Sequence, residues 1–150
     1  MKSNEYCMTS ERIKHLEFIQ AAISRMAGNS ALLKGWSVTV ATALFALATK
    51  DSNPRFAGLA MVPAVAFWML DAFYLRLECL FRELYDDVRL LSDQEYQEKV
   101  GAFSMRIKPY EGRVDSLFAL MWSASAFLLH GIICLSAASV VIFIFWLRPN

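Results

Sequence analysis

The chain has 150 residues, of which 57% are hydrophobic, and its formal net charge is +1 at pH 7. Ordinary soluble domains are about 45–50% apolar. The excess lies in three blocks, which is typical of a polytopic membrane protein, and the nearly neutral charge gives no reason to expect a nucleic-acid partner. The three cysteines are far apart and form no CxxC pair, so neither a disulfide framework nor a zinc site is predicted.

The predicted elements begin with an amphipathic helix at residues 11–27. Leu16, Ile19 and Ile23 recur at helical spacing, and charged residues of both signs take the opposite face. A polar face of mixed sign favours packing against another helix over lying on the lipid surface. Residues 27–30 read Ala-Gly-Asn-Ser, which predicts a bend and a new helix cap.

Three apolar segments have about the length that crosses a bilayer, roughly 20 residues. The first two, residues 31–49 and 54–73, are joined by a short polar hairpin, so we expect them to be antiparallel. The last apolar run, residues 117–146, is too long for one crossing and too short for two crossings with a turn. We predict one long helix there, in which residues 129–147 cross the membrane.

The helix of the second span is expected to continue beyond the membrane surface. From Phe73 to Leu91 the apolar residues occupy one half of the helical wheel, the charged residues occupy the other, and no Gly or Pro intervenes. Ser92 and Glu95 then have the spacing of a capping box, which predicts a short helix. Residues 74–128 are therefore interpreted as a cytoplasmic helical segment.

The distribution of basic residues predicts the orientation. Twelve of the fifteen lie either on the N-terminal side of the first span, counting Lys34 at its inner end, or between the second and third spans. Basic residues favour the cytoplasmic side. We therefore expect the N-terminus in the cytoplasm and the C-terminus on the opposite side of the membrane. The fold class predicted is an all-α polytopic membrane protein with three transmembrane helices, two of them extended into a cytoplasmic helical layer, in a single membrane domain covering residues 1–150.

Two charges within the predicted spans are expected to meet. Lys34 precedes Thr49 by as many residues as Asp71 follows Phe56. In an antiparallel pair both lie about 22 Å from the outer end, at 1.5 Å per residue, just inside the inner boundary of a hydrocarbon layer of about 30 Å. An unpaired charge at that depth is costly, so a Lys34–Asp71 ion pair is predicted. The alternative is that each side chain reaches the headgroups separately.

The polar face of the second helix is a candidate for assembly. Asp71, Glu78, Arg82 and Arg89 lie on one side of the wheel, where they would line a vestibule or contact another copy. The alternative is a solvated face on which Glu78 and Arg82 form an i,i+4 ion pair.

Basic residues also mark the loop before the third span. Arg106, Lys108 and Arg113 are interpreted as solvated positive charge on the inner side, or alternatively as contacts to an anionic headgroup or nucleotide. His130 is interpreted as a packed or interfacial histidine in preference to a proton relay, because its own helix has no second histidine or acid at membrane depth.

The motifs of common enzyme classes are missing from the sequence. It contains no GxxxxGK[ST], GxGxxG, HExxH or GxSxG, and neither histidine has metal-like spacing to the cysteines. We therefore expect no enzymatic activity, no metal and no cofactor.

Two segments, RMAGNSALLKGW and FWMLDAFYLRLECLFRELYDDVR, give the chain a resemblance to a family. It resembles small multi-span bacterial membrane effectors of antiphage defence, the SLATT-like and related transmembrane effectors, over roughly residues 25–91. The resemblance implies a protein that a cytosolic event triggers, and that then oligomerises and breaches the inner membrane. The third predicted span and the lack of a recognisable nucleotide-binding domain depart from the simplest members.

Three functions are consistent with the sequence. The first is such a triggered effector, and the second is a non-catalytic adaptor or accessory subunit that recruits a cytosolic enzyme. The third, a small transporter or channel subunit, is disfavoured because inverted repeats and polar residues at mid-bilayer are missing. The partners expected are the lipid bilayer, further copies of the chain, and a cytosolic protein or second messenger.

Overall fold

A computed structural model describes residues 9–50, 58–59 and 61–146 of the protein. All regular structure in these residues is helical, which confirms the all-α fold class. The helices are α1 (Ser10–Lys50), α2 (Met61–Leu90), α3 (Asp93–Lys99), α4 (Leu117–Met121) and α5 (Ala124–Trp146), with a 3₁₀ turn at Lys108–Tyr110. The hairpin expected between the first two spans lies outside the described residues.

Helix α1 is continuous over 41 residues. The bend predicted at residues 27–30 is therefore wrong, and the amphipathic helix and the first apolar segment are one element. Gly28 has open space around its α-carbon, and a glycine within a helix costs only about 1 kcal/mol relative to alanine. Ser30 does not cap a new helix, because its hydroxyl donates to Asp71 instead.

The described residues divide into two compact units. Unit 1 contains those up to Met26 together with Leu77–Asp115, and unit 2 contains Ala27–Arg76 together with those from Ser116 onward. Residues 116–128, expected in the cytoplasmic layer with the extension of α2, thus group with the predicted spans.

The core of unit 1 joins the first turns of α1 to the last turns of α2. The apolar face predicted for α2 is the buried one, with Leu80, Leu84 and Val88 spaced four residues apart. The predicted apolar positions Ile19 and Ile23 of α1 pack into the same cluster, so this part of α1 packs on a helix. The buried members of the cluster are Ile19, Ile23, Leu80, Leu84, Val88, Tyr96 and Tyr110.

Unit 2 is packed through small side chains. Its fully or nearly fully buried apolar residues are mostly alanines, which let helix backbones approach closely, as in membrane bundles. One buried apolar cluster joins Ala41 of α1, Ala64 of α2 and Ile133 of α5. The buried alanines are Ala41, Ala48, Ala64, Ala72, Ala126 and Ala137.

The last apolar run is broken between α4 and α5. The prediction of one long helix over residues 117–146 is therefore wrong. The indole Nε1 of Trp68 donates to the carbonyl of Met121 at 2.8 Å, so a partner outside the helix satisfies this terminal carbonyl. Trp122 packs edge-on against Trp68, with ring centroids 5.8 Å apart, and stacks on Phe127 at 5.3 Å. These aromatic contacts hold the chain at the break.

Two helices are long and apolar enough to cross a membrane. The two segments are Ser10–Ala48 and Ala124–Phe143. The second expected span, residues 54–73, includes residues 54–57 and 60, which lie outside the described part of the chain.

Candidate functional site

The candidate site lies in unit 2, where the structure brings Lys34 of α1 and Asp71 of α2 together. The Lys34 Nζ lies 2.7 Å from Asp71 Oδ1. The Asp71 side chain is 1% exposed and that of Lys34 is 25% exposed. The carboxylate is thus fully enclosed, whereas the lysine reaches it from the edge of the unit.

Ser30 completes a closed set of hydrogen bonds around this ion pair. Its hydroxyl donates to Asp71 Oδ1 at 2.5 Å, and Lys34 donates to the Ser30 oxygen at 2.7 Å. Ser30 and Lys34 are four residues apart on α1, so they lie on the same face of that helix. One carboxylate oxygen therefore accepts from two donors of the same helix, which fixes the register of α1 against α2.

His130 of α5 lies against the other carboxylate oxygen. Its ring is fully buried, and its Nε2 is 3.5 Å from Asp71 Oδ2. Its Nδ1 is 3.3 Å from the Ser37 hydroxyl of α1, and the ring stacks on the Trp68 indole with centroids 6.4 Å apart and planes 17° apart. Three helices thus place a lysine, an aspartate and a histidine in one buried cluster, which we call the Lys34–Asp71–His130 cluster.

The neighbour of His130 was not predicted from the sequence, because Asp71 lies on α2 and not on α5. The signal in the sequence that could have indicated this contact is the depth of His130, near the inner end of the third apolar segment, as Lys34 and Asp71 are near the inner ends of the first two.

The four residues proposed as an assembly face do not share one exposed surface. Asp71 is enclosed in the cluster, and Glu78 is only 9% exposed. Glu78 pairs with Arg82 at 2.5 Å, which is the i,i+4 pair of the alternative interpretation. Arg89 pairs with Asp86 at 3.1 Å.

A second buried polar group lies in unit 1, at the C-terminal end of α2. The guanidinium of Arg12 is almost completely buried and donates to the carbonyl of Val88 at 2.6 Å and to that of Leu91. It also pairs with Asp93 at 2.8 Å. A cation at a helix C-terminus is favourable because the last carbonyls have no partner within the helix. Arg12 was interpreted from the sequence only as positive-inside charge.

His15, one turn further along α1, joins the same part of unit 1 to the following loop. The Tyr96 hydroxyl lies 2.8 Å from His15 Nδ1, and the Ser104 carbonyl lies 3.0 Å from Nε2. A carbonyl only accepts, so Nε2 bears the proton and Nδ1 accepts from Tyr96. Burial lowers the pKa of His15, and the hydrogen bond to Ser104 opposes this effect only in part. His15 precedes the segment expected to cross the membrane, and it is a neutral structural group.

The three basic residues of the loop have different surroundings. Arg113 pairs with Asp87 at 2.9 Å, and its guanidinium lies over the Tyr110 ring, 5.2 Å from the centroid. Burial and the Asp87 carboxylate raise the pKa of Tyr110 to about 12. Arg106 and Lys108 have no ion-pair partner within the described ranges. Arg113 is thus already engaged, and Arg106 and Lys108 are left as candidates for anion contacts.

Arg106 lines a small polar cavity of about 220 Å³ in unit 1. Lys99 and Ser104 lie on its wall, together with Tyr110. Lys99 also pairs with Glu95, a member of the predicted capping box, which is present with Ser92 as the N-cap of α3.

In the part of the chain that the structure describes, no three His, Cys, Asp or Glu side chains are grouped so that they could hold a metal ion. Comparison with protein-family models, with curated proteins and with solved structures finds no match to this chain.

Proposed function

We propose that the protein is an integral membrane protein of the bacterial inner membrane and acts there as a triggered effector. The observation that supports a membrane location is the exposure of its most apolar helices. Only 17% of the apolar window in α1 and 28% of that in α5 is buried, whereas the core helix of a soluble protein would be mostly buried. Large apolar patches on a surface mark contacts with lipid or protein. The exposed apolar side chains of α5 include Leu128, Ile132, Leu135, Ile142 and Phe143.

In this proposal three segments cross the membrane, residues 31–49, 54–73 and 129–147, with unit 1 in the cytoplasm and the C-terminus outside. Labelling with a membrane-impermeant maleimide tests the topology after Cys7, Cys79 and Cys134 are replaced by serine. A cysteine at Ser52, which lies outside the described residues, should react in intact cells. A cysteine at Arg106 should react only after permeabilisation, and the opposite result would contradict the orientation.

The effector would permeabilise or depolarise the membrane after self-association. Three packed helices leave no lumen, so a conducting form has to be built from several copies. The resemblance to antiphage effectors supports a role in defence. Unit 1, which is rich in charged residues and lies outside the proposed spans, is the part that would receive a cytosolic trigger. Arg106 and Lys99 at the small cavity are the basic groups that an anionic second messenger or headgroup would meet.

The test is expression in bacteria with membrane potential and viability as readouts, alone and with the neighbouring genes under phage challenge. An effector should be tolerated at rest and should depolarise the cells when its trigger is present. Lys34→Met should abolish the response because it breaks the buried pair. Lys14→Met is the matched control on the same helix, since the pair that Lys14 forms with Glu17 is exposed.

The second candidate function is a non-catalytic adaptor that recruits a cytosolic enzyme through unit 1. The compact core that joins α1, α2 and α3 favours it, because a rigid helical platform suits protein binding. If neither potential nor viability changes under any trigger, the effector proposal fails. Copurification of one defined soluble enzyme, lost on disrupting unit 1, would then support the adaptor.

A further inference from the structure

Two atoms of the Lys34–Asp71–His130 cluster are enclosed without a hydrogen-bond partner. They are Asp71 Oδ2 and His130 Nε2, and both are shielded from solvent. They face one another at 3.5 Å. A buried polar atom without a partner is costly, so the arrangement is stable only if a hydrogen lies between these two atoms.

This requirement determines the state of the neutral ring. With its hydrogen on Nδ1, the ring would turn the Nε2 lone pair toward a carboxylate oxygen, and two acceptors would face each other. With the hydrogen on Nε2, the ring donates toward Asp71, and Nδ1 is free to accept from the Ser37 hydroxyl at 3.3 Å. The neutral cluster therefore contains the Nε2–H tautomer of His130.

We propose that the Lys34–Asp71–His130 cluster is a proton-binding site, in which His130 Nδ1 takes up one proton from a hydronium ion, whose O–H bond breaks to leave water. The new N–H bond forms at the lone pair of Nδ1. The hydrogen bond between Ser37 and His130 then reverses its direction. Before proton uptake the Ser37 hydroxyl donates to Nδ1, and afterwards the hydroxyl rotates and its oxygen accepts from Nδ1–H. The Nε2–H remains directed at Asp71, now as a charge-assisted contact.

The charges around the ring come from all three helices. On α1, the positive charge of the Lys34 ammonium disfavours the His130 imidazolium, while Ser30 and Ser37 are neutral. From α2, the Asp71 carboxylate favours the imidazolium, and the Trp68 indole offers a ring face to the cation. From α5, His130 itself is the titrating group.

Uptake of the proton changes the cluster from net neutral to a charge of +1. Two cations then share one buried carboxylate, which is unfavourable. Lys34 is the only charged member of the cluster with access to the surface, so it is the one that can leave. A proton on His130 and the ammonium of Lys34 therefore compete for Asp71, and proton binding loosens the contact between α1 and α2.

The test is a pH titration of the histidine ring nitrogens by ¹⁵N NMR, with the full chain in lipid nanodiscs. The chain has two histidines, and His130→Gln identifies the signals of His130 by their loss. At high pH the ring should be the Nε2–H tautomer, and it should take up one proton as the pH falls. Lys34→Met should strengthen proton binding by about tenfold or more, and Asp71→Asn should weaken it by a similar factor.

Lys14→Met is the control and should leave the titration of His130 unchanged. The proposal is overturned by an Nδ1–H tautomer at high pH, by a ring that stays neutral in both the wild type and Lys34→Met, or by midpoints that neither variant moves. If Asp71→Asn does not fold, the tautomer of the wild type and the titration of Lys34→Met decide the question. The titration needs no membrane activity, so its failure is distinct from failure of the proposed effector function.

Discussion

A double-mutant cycle on Lys34 and Asp71 examines how the buried pair stabilises unit 2. Lys34→Met removes the ammonium and one of the two donors to Oδ1 of a carboxylate that stays buried, so the free energy of unfolding should fall by about 3 kcal/mol, the low end for breaking a buried pair. Asp71→Asn should cost less, about 1–2 kcal/mol, because the partly exposed Lys34 can turn toward the surface. The double variant has no buried charge left at this point and should also lose about 2 kcal/mol.

The predicted coupling energy is therefore about 2–3 kcal/mol, since the double variant loses less than the two single variants together. The assay is denaturant unfolding in detergent micelles followed by tryptophan fluorescence, to which Trp68 beside the cluster contributes. Lys14→Met should change stability by less than about 0.5 kcal/mol, as expected for an exposed pair. Losses that add within about 0.5 kcal/mol would show that the Lys34–Asp71 contact contributes no coupling.

Three further predictions concern single residues. Arg12→Met should lower the free energy of unfolding by about 3 kcal/mol, because the last carbonyls of α2 lose a buried charged donor, and urea unfolding of the full chain measures it. Below about pH 6.5 the unfolded ring of His15 takes up a proton that the folded ring, with its lowered pKa, resists. The free energy of unfolding should therefore decrease as the pH decreases below about 6.5, and His15→Gln should make it depend less on pH. An equal dependence on pH in the wild type and in His15→Gln would refute this role of His15. Trp68→Phe should cost about 1 kcal/mol through the lost bond to Met121, and an unchanged melting temperature would contradict it.

Periodic signals in the sequence were reliable where one helix packs on another. Leu80, Leu84 and Val88 recur every four residues, and this spacing alone places them on one buried face. The contact of Lys34 with Asp71 followed from a length argument, because two antiparallel helices rise equally per residue. Both predictions depend on helix geometry and not on the identity of distant neighbours.

The buried polar groups of unit 1 could not be predicted in the same way. Arg12 binds the carbonyls of Val88 and Leu91, and every residue has such a carbonyl, so no residue type marks the partner. His15 likewise binds the carbonyl of Ser104. Contacts to backbone atoms far along the chain leave no pattern in the sequence, and only the packed structure shows them.

Local sequence signals predicted one helix end that is not present and missed one that is, and both errors have the same physical reason. At residues 27–30 glycine and serine predicted an end, but the Ser30 hydroxyl bonds to Asp71 and the helix continues. At Trp122 an unbroken apolar run predicted continuation, but the indole of Trp68 satisfies the carbonyl of Met121 and the helix ends there. A helix ends where its terminal groups find better partners outside it. In this protein those partners lie on α2 in both cases, at Trp68 and Asp71, one turn apart. The same short stretch of α2 therefore contacts α1 where that helix continues, α4 where that helix ends, and His130 in the buried cluster.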